Sequence, residues 1–268
     1  MHQDSQTESA CLQEPHLWCA YPDDLLAPEE AQACADLLNP EERARGERFR
    51  FEDRRREHIA THALKRIALS ASMPRAPHDW QFQENAHGKP FIDPVCGSAN
   101  GLCFNLSNSS KLVVCLIAHA ANPGVEVGVD VEPHARAAEI VPLASHVFSL
   151  AERAQLDLLP EAERPDRALS LWTLKESYIK ARGKGLSLSL SGFSFLFGGP
   201  QDIRLEVDPS LNDNADRWRF CLLNHANHRI AVMVESRIPP AINFWEAQPI
   251  LAAPRRLAHP EIVWFPRP

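Results

Sequence analysis

The sequence predicts an α+β fold built from two similar halves, and three observations carry that reading. The order strand, helices, then several strands occurs twice along the chain. Val125, Val127, Val129 and Val131 alternate strictly with polar or small residues, the period-two mark of a strand that opens the second half. Residues Asp166–Arg182 then form an amphipathic helix closed by Gly183.

Taken in order, Leu17–Ala20 is a short strand candidate, and helical sequence follows from about Pro28 to Leu38. Asn39 reads as a cap with Pro40 in the first turn, opening a helical region that runs to about Ser70. Strands are expected at Trp80–Gln83, Leu102–Leu106 and Leu112–Ala118. In the second half, helices are expected from Ser149 to Leu159 and from Asp166 to Arg182, then strands at Phe193–Phe197, Trp218–Leu222 and Ile230–Glu235. Ala120–Gly124 is the natural junction. The expected division is residues 1–122, residues 123–238, and a proline-rich tail from Pro239 to Pro268. With Trp245, Trp264 and Phe265, that tail reads as irregular chain pinned by aromatics.

Bulk properties exclude several classes. A chain of 268 residues with 44% hydrophobic and 24% charged residues buries a full core and is ordinary for a soluble protein. A net charge of −7 opposes general nucleic-acid binding, which needs an excess of Lys and Arg. The first residues carry no basic and apolar secretory pattern, and no apolar run is long enough for a bilayer, so a cytoplasmic protein is expected. Seven scattered cysteines without a CxxC pair read as reduced thiols, neither a disulfide framework nor a zinc site.

Two stretches carry chemistry. On the strand Gly128-Val129-Asp130-Val131-Glu132, Asp130 and Glu132 share a face about 6.5–7 Å apart, a spacing that lets both converge on a hydrated Mg²⁺. The same pattern also suits a solvated sheet face. Gly128 beside them permits close approach of a ligand or of another backbone. On the helix, Glu176 and Lys180 fall opposite an apolar arc, with Thr173 and Ser177, and the i,i+4 spacing equally suits a surface ion pair. Lys175 sits inside the apolar arc, where a cation must snorkel or meet an anion.

Gly-Val-Asp-Val-Glu at 128–132, followed by Leu-Trp-Thr-Leu-Lys-Glu-Ser-Tyr-Ile-Lys-Ala-Arg-Gly-Lys-Gly-Leu-Ser-Leu at 171–188, resembles the signature of Sfp-type 4′-phosphopantetheinyl transferases. Arg48-Phe49-Arg50 with Asp53 and Arg56, Gly88-Lys89-Pro90, Phe104-Asn105-Leu106-Ser107, and His146-Val147-Phe148-Ser149 extend the match in order over about residues 39–197. The resemblance implies a pseudo-dimer of two α+β subdomains with the active site in the cleft between them. It implies Mg²⁺-dependent transfer of the 4′-phosphopantetheine arm from coenzyme A to a serine of an apo acyl or peptidyl carrier protein, with Mn²⁺ as a possible substitute. By resemblance Asp130, Glu132 and Glu176 hold the metal, and Glu176 is the favoured base. Lys175 and Lys180 meet phosphates, and Arg48, Arg56, Lys89 and Pro90 lie near the nucleotide, with Ser107 and Asn108 on the phosphate side. A length of this kind implies a monomer.

One departure stands out. Asn108 occupies the place where the family commonly has histidine, and an amide cannot carry a positive charge. Glu42 and Glu57 also stand where cations or a small hydroxyl are frequent, which bears on the 3′-phosphate contacts. The competing readings are a silent coenzyme A or carrier-binding module, another Mg²⁺-dependent nucleotide enzyme, and a histidine metalloprotein. The chain has no G-x-x-x-x-G-K-[ST] loop, no G-x-G-x-x-G turn and no H-E-x-x-H, and all three acids and both lysines are present.

Overall fold

The computed structural model describes residues 14–264 apart from 100, 110, 120–123, 200–201, 238–240, 248–254 and 258–260. The expected junction at residues 120–123 therefore lies outside the described residues, as does Phe265. In chain order the first half contains β1 (His16–Ala20), α1 (Pro22–Leu25), α2 (Ala31–Leu37), α3 (Pro40–Glu47), α4 (Glu52–Ser72), β2 (Phe82–Glu84), β3 (Pro90–Ile92), β4 (Leu102–Ser109) and β5 (Leu112–His119). The second contains β6 (Val127–Pro133), α5 (Ala137–Ile140), α6 (Ala144–Val147), α7 (Leu150–Asp157), α8 (Arg164–Arg182), β7 (Phe193–Gly199), β8 (Asp202–Val207), β9 (Trp218–His225) and β10 (His228–Glu235). Three further strands follow: β11 (Asn243–Glu246), β12 (Arg255–Arg256) and β13 (Glu261–Trp264).

These strands make a five-stranded sheet in the order β12-β11-β1-β5-β4 and a four-stranded sheet in the order β13-β9-β10-β6, with two small hairpins, β2-β3 and β7-β8. Alternation along the strands explains the layers. Trp18, Val113, Cys115 and Ile117 pack on Ala60, Leu64 and Ala68 of α4. The intervening Leu17, Val114 and Leu116 meet Val129, Val131, Leu223 and Val232 of the other sheet. The outer face of that second sheet, with Phe220, Leu222 and Met233, is covered by α8. The chain is thus stacked helix, sheet, sheet, helix. Each fully buried Val, Leu or Ile at the sheet–sheet contact contributes about 1.5–3 kcal/mol.

Three expectations change. The helical region from Pro40 is two helices, because α3 turns back over α4. Gly46 crosses His58 there, with space for no more than a hydrogen (a Cβ would lie 3.0 Å from the ring). That turn lets Glu42 close the capping box with Asn39 and also bond Lys65 and Arg66 at 2.6 and 2.9 Å. The tail is not irregular throughout: β11 pairs in parallel with β1, and β13 pairs with β9. Finally, β8 was not anticipated, although Asp202–Val207 alternates charged and apolar residues and turns Ile203 and Leu205 into the core.

Candidate active site

The site is made where β6 passes under α8. Val127, Val129 and Val131 face the sheet–sheet core, so Gly128, Asp130 and Glu132 face the helix. Gly128 makes the crossing possible. A Cβ there would lie 2.0 Å from the Ser177 carbonyl oxygen and 2.6 Å from the Ala181 nitrogen. Of the two uses open to Gly128 in the sequence, the structure shows backbone approach. Thr173 and Ser177 consequently lie against the sheet instead of water. Their hydroxyls donate to Leu169 and Leu174 carbonyls at 2.7 Å, which removes the cost of burying them.

The seam between the sheets is fastened by side chains of β4. Asn105 Oδ1 accepts from the Val129 amide at 2.8 Å, and Ser107 Oγ accepts from the Val131 amide at 3.3 Å. These are outward amides of an edge strand, satisfied without a neighbouring strand. Ser107 Oγ also donates to Asp130 Oδ1 at 3.0 Å. Lys180 completes the cluster: its Nζ donates to Asp130 Oδ1 at 2.6 Å and to Ser107 Oγ at 2.7 Å. The helical ion pair with Glu176 does not form, because Asp130 takes the ammonium.

Asp130, Glu132, Glu176, Lys180, Ser107 and Asn108 line one cavity of about 690 Å³, with Arg54, Arg136 and Trp172. Asp130 is 4% exposed, yet its Oδ2 has no hydrogen-bond partner. A buried carboxylate oxygen left bare in a cavity with two more acids could be satisfied by a cation. Burial, with the Asp130 charge second, pushes both Glu132 and Glu176 above the ordinary carboxylate range, and Lys180 pulls the other way. Trp172 Nε1 donates to Glu132 Oε1 at 2.8 Å, and Arg136 pairs with the same carboxylate. The three acids share the cavity lining without gathering to within 4.8 Å of one another. The fit to a hard divalent cation is in the donor chemistry, all carboxylate oxygen.

A second cavity of about 1150 Å³ adjoins the first, sharing Arg54 and Asn108, and is lined by Arg45, Arg48, Phe49, His58, His62, Lys65 and Pro90. Burial pushes His62 down to about 4, so it is neutral at pH 7, and Lys65 is lowered too and tied to Glu42. The remaining cations, Arg45, Arg48 and Arg54, share the lining with Glu41, Glu42, Glu57 and Glu84, and Arg54 pairs with Glu57 at 2.8 Å.

Three sequence expectations are corrected. Lys175 does not reach a phosphate: it is fully buried beneath α8, bonding Glu152 Oε2 and the Phe193 carbonyl at 2.7 Å each. Its anion is internal, on α7. Lys89 donates to the Val127 and Ala181 carbonyls at 3.1 and 2.7 Å, tying the first half to the end of α8. Arg56 turns to the Pro22 and Leu26 carbonyls at 3.3 Å each and braces α1. Sequence reasoning missed Arg45, Arg54, Arg136 and the positioning role of Asn105. Asn105 was quoted within a motif, but its bond to another strand's amide has no signature in spacing.

Three carboxylates beside a lysine, adjoining a cavity that holds three arginines, suit an enzyme that handles a phosphorylated co-substrate. Residues 126–233 match the profile of the 4′-phosphopantetheinyl transferase superfamily, and residues 27–121 match the profile described as 4′-phosphopantetheinyl transferase, N-terminal. The chain is 32% identical over 175 residues to the 4′-phosphopantetheinyl transferase HetI of Nostoc sp., covering 65% of this chain and 70% of that one. It is 30% identical over 190 residues to the 4′-phosphopantetheinyl transferase Sfp of Bacillus subtilis, covering 71% and 80%. The chain belongs to the 4′-phosphopantetheinyl transferase superfamily, and it is a transferase of the phosphopantetheine group.

Proposed function

We propose that the chain transfers the 4′-phosphopantetheine arm of coenzyme A to a serine hydroxyl of an apo acyl or peptidyl carrier protein, releasing 3′,5′-ADP. The observation that carries the detail is the bare, buried Asp130 Oδ2 facing a cavity shared with Glu132, Glu176 and Lys180. Asp130, Glu132 and Glu176 would hold Mg²⁺, or Mn²⁺ in its place, and the ion when bound supplies charge neutralisation for the diphosphate. In this reading the first half (residues 1–122) cradles the nucleotide end and the second (residues 123–238) carries the acids. The cytoplasm is the expected compartment and a monomer the expected state.

The residues divide the work. Arg45, Arg48 and Arg54 line the cavity that suits the 3′-phosphate and adenine. Asn108, at the junction of the two cavities, offers an amide to the diphosphate. Lys180 is held on Asp130 and Ser107, poised to place its ammonium against the leaving oxygen. Glu176, whose carboxyl is raised toward neutrality by burial and Asp130, accepts the serine proton as the serine oxygen bonds phosphorus and the ADP oxygen departs with the bonding pair.

The test is intact mass spectrometry of a panel of apo carrier proteins incubated with the protein, coenzyme A and Mg²⁺. A gain of one phosphopantetheine arm, absent with EDTA, is the expected result. No gain on any carrier, with coenzyme A still bound, would make the chain a binding module.

A further inference from the structure

A second group of ligand-type side chains lies away from the acidic cavity. Cys19 on β1, His225 at the end of β9 and Glu246 on β11 bring one ligand atom each to within 4.8 Å of one another. Topology explains the meeting. Cys19 and Glu246 are register partners in the parallel pair β1–β11, so their side chains leave the sheet together. His225 comes from the opposite sheet, and its Nε2 stands 3.6 Å from Cys19 Sγ and 3.1 Å from the Tyr21 hydroxyl. Arg255 Nη2 donates to Glu246 Oε2 at 2.8 Å and steadies that carboxylate.

The distances and donor types agree on one kind of ion. In a tetrahedral site with bonds of about 2.0–2.3 Å, neighbouring ligand atoms stand roughly 3.3–3.8 Å apart, which the sulfur–nitrogen separation already satisfies. Thiolate, imidazole and carboxylate together suit zinc, whereas Mg²⁺ selects oxygen donors alone. We propose that Cys19, His225 and Glu246 form a three-ligand site for a thiophilic divalent cation of the Zn²⁺ class, with water beside Tyr21 in the fourth position. Binding releases the Cys19 thiol proton to solvent. Cys19 is buried while His225 and Glu246 are partly exposed, so the ion enters from their side.

The site would staple three strands: β1 of one sheet, β9 of the other, and β11 of the tail. The proposal departs from the expectation that the cysteines include no zinc ligand. Ligands drawn from residues 19, 225 and 246 leave no spacing for a sequence pattern to show. The proposal does not depend on the transferase reading, because its readout is metal content and spectrum.

The full-length protein, purified without chelator, should carry about one zinc per chain by elemental mass spectrometry. Cys19→Ser and His225→Ala should each lower that content at least tenfold, while Cys103→Ser, which alters another thiol, should not. For wild-type protein stripped of metal, Co²⁺ should give a thiolate-to-metal charge-transfer band that Mg²⁺ does not displace and Zn²⁺ does. This arm needs no variant to fold. Metal-free wild type that takes up Co²⁺ without that band overturns the proposal, as does zinc retained in Cys19→Ser.

Discussion

Gly128→Ala tests the placement of the whole site with a single methyl group. The new Cβ would lie 2.0 Å from the Ser177 carbonyl oxygen, 2.6 Å from the Ala181 nitrogen and 2.9 Å from the Ala181 Cβ. Ordinary contact begins near 3.4 Å, so α8 must retreat from β6 by about 1 Å or more, and the obstacles are mostly backbone that cannot rotate away. Overpacking of this kind costs about 1–3 kcal/mol, and a backbone clash belongs at the upper end. For a chain of this size that lowers Tm by about 5–10 °C. The functional loss should be larger in proportion. Glu176 and Lys180 ride on α8, and the 2.6 Å bond from Lys180 to Asp130 must open when the helix moves. A displacement of about 1 Å at catalytic groups costs on the order of 10²-fold in rate. Carrier modification followed by mass spectrometry, with thermal melting in parallel, reads both effects. Gly199→Ala is the control, since a Cβ there meets nothing within 4 Å. Wild-type kcat/KM in folded Gly128→Ala would refute the account of how the acids and lysine are brought together.

Four further outcomes are expected. Asp130→Ala should reduce Mg²⁺-dependent turnover by at least about 10³-fold, the scale of losing a key charge-stabilising group, with Tm nearly unchanged; a large fall in Tm would make Asp130 structural. Because burial and Asp130 raise Glu132 and Glu176, these groups take up protons above the ordinary carboxylate range, so activity should fall with pH there, and more Mg²⁺ should move the acid limb to lower pH. An acid limb indifferent to Mg²⁺ would separate those carboxylates from the metal. Lys175→Met should destabilise by about 3–5 kcal/mol, because Glu152 is left buried without its cation, while KM for coenzyme A in folded protein stays the same; a raised KM would restore Lys175 as a phosphate ligand. Asn108→His should lower KM for coenzyme A several-fold by adding a cation where the cavities join, roughly the 1.5–3 kcal/mol range of a charged hydrogen bond at most, and unchanged kinetics would remove the residue from the site.

Much of the site was legible because its pieces are periodic. The alternation along β6 put Asp130 and Glu132 on one face, and the left-handed cap at Gly183 ended α8 where the sequence placed it. Amphipathicity misled on the same helix. Thr173 and Ser177 read as a wet face, yet they are the contact with the sheet, since only small side chains fit opposite Gly128. Lys175 was correctly singled out as needing an anion, but Glu152 is a partner from another helix that pattern cannot name. The same holds for Lys89 and Arg56, whose charges are spent on backbone carbonyls. The tail was misjudged because its prolines mask short strands, and the partners of β11 and β13 lie far back in the chain.

The pairing of β11 with β1 has a consequence for how the protein is made. During synthesis β1 leaves the ribosome long before the strand that covers its flank, which spans residues 243–246. Contacts so distant in sequence form late and slowly. Until β11 docks, β1 presents an open edge bearing Leu17, Trp18 and Cys19. That edge is where a nascent chain would pair with a neighbour, so yield in the cell should depend on chaperone supply and growth temperature more than the finished fold's stability suggests.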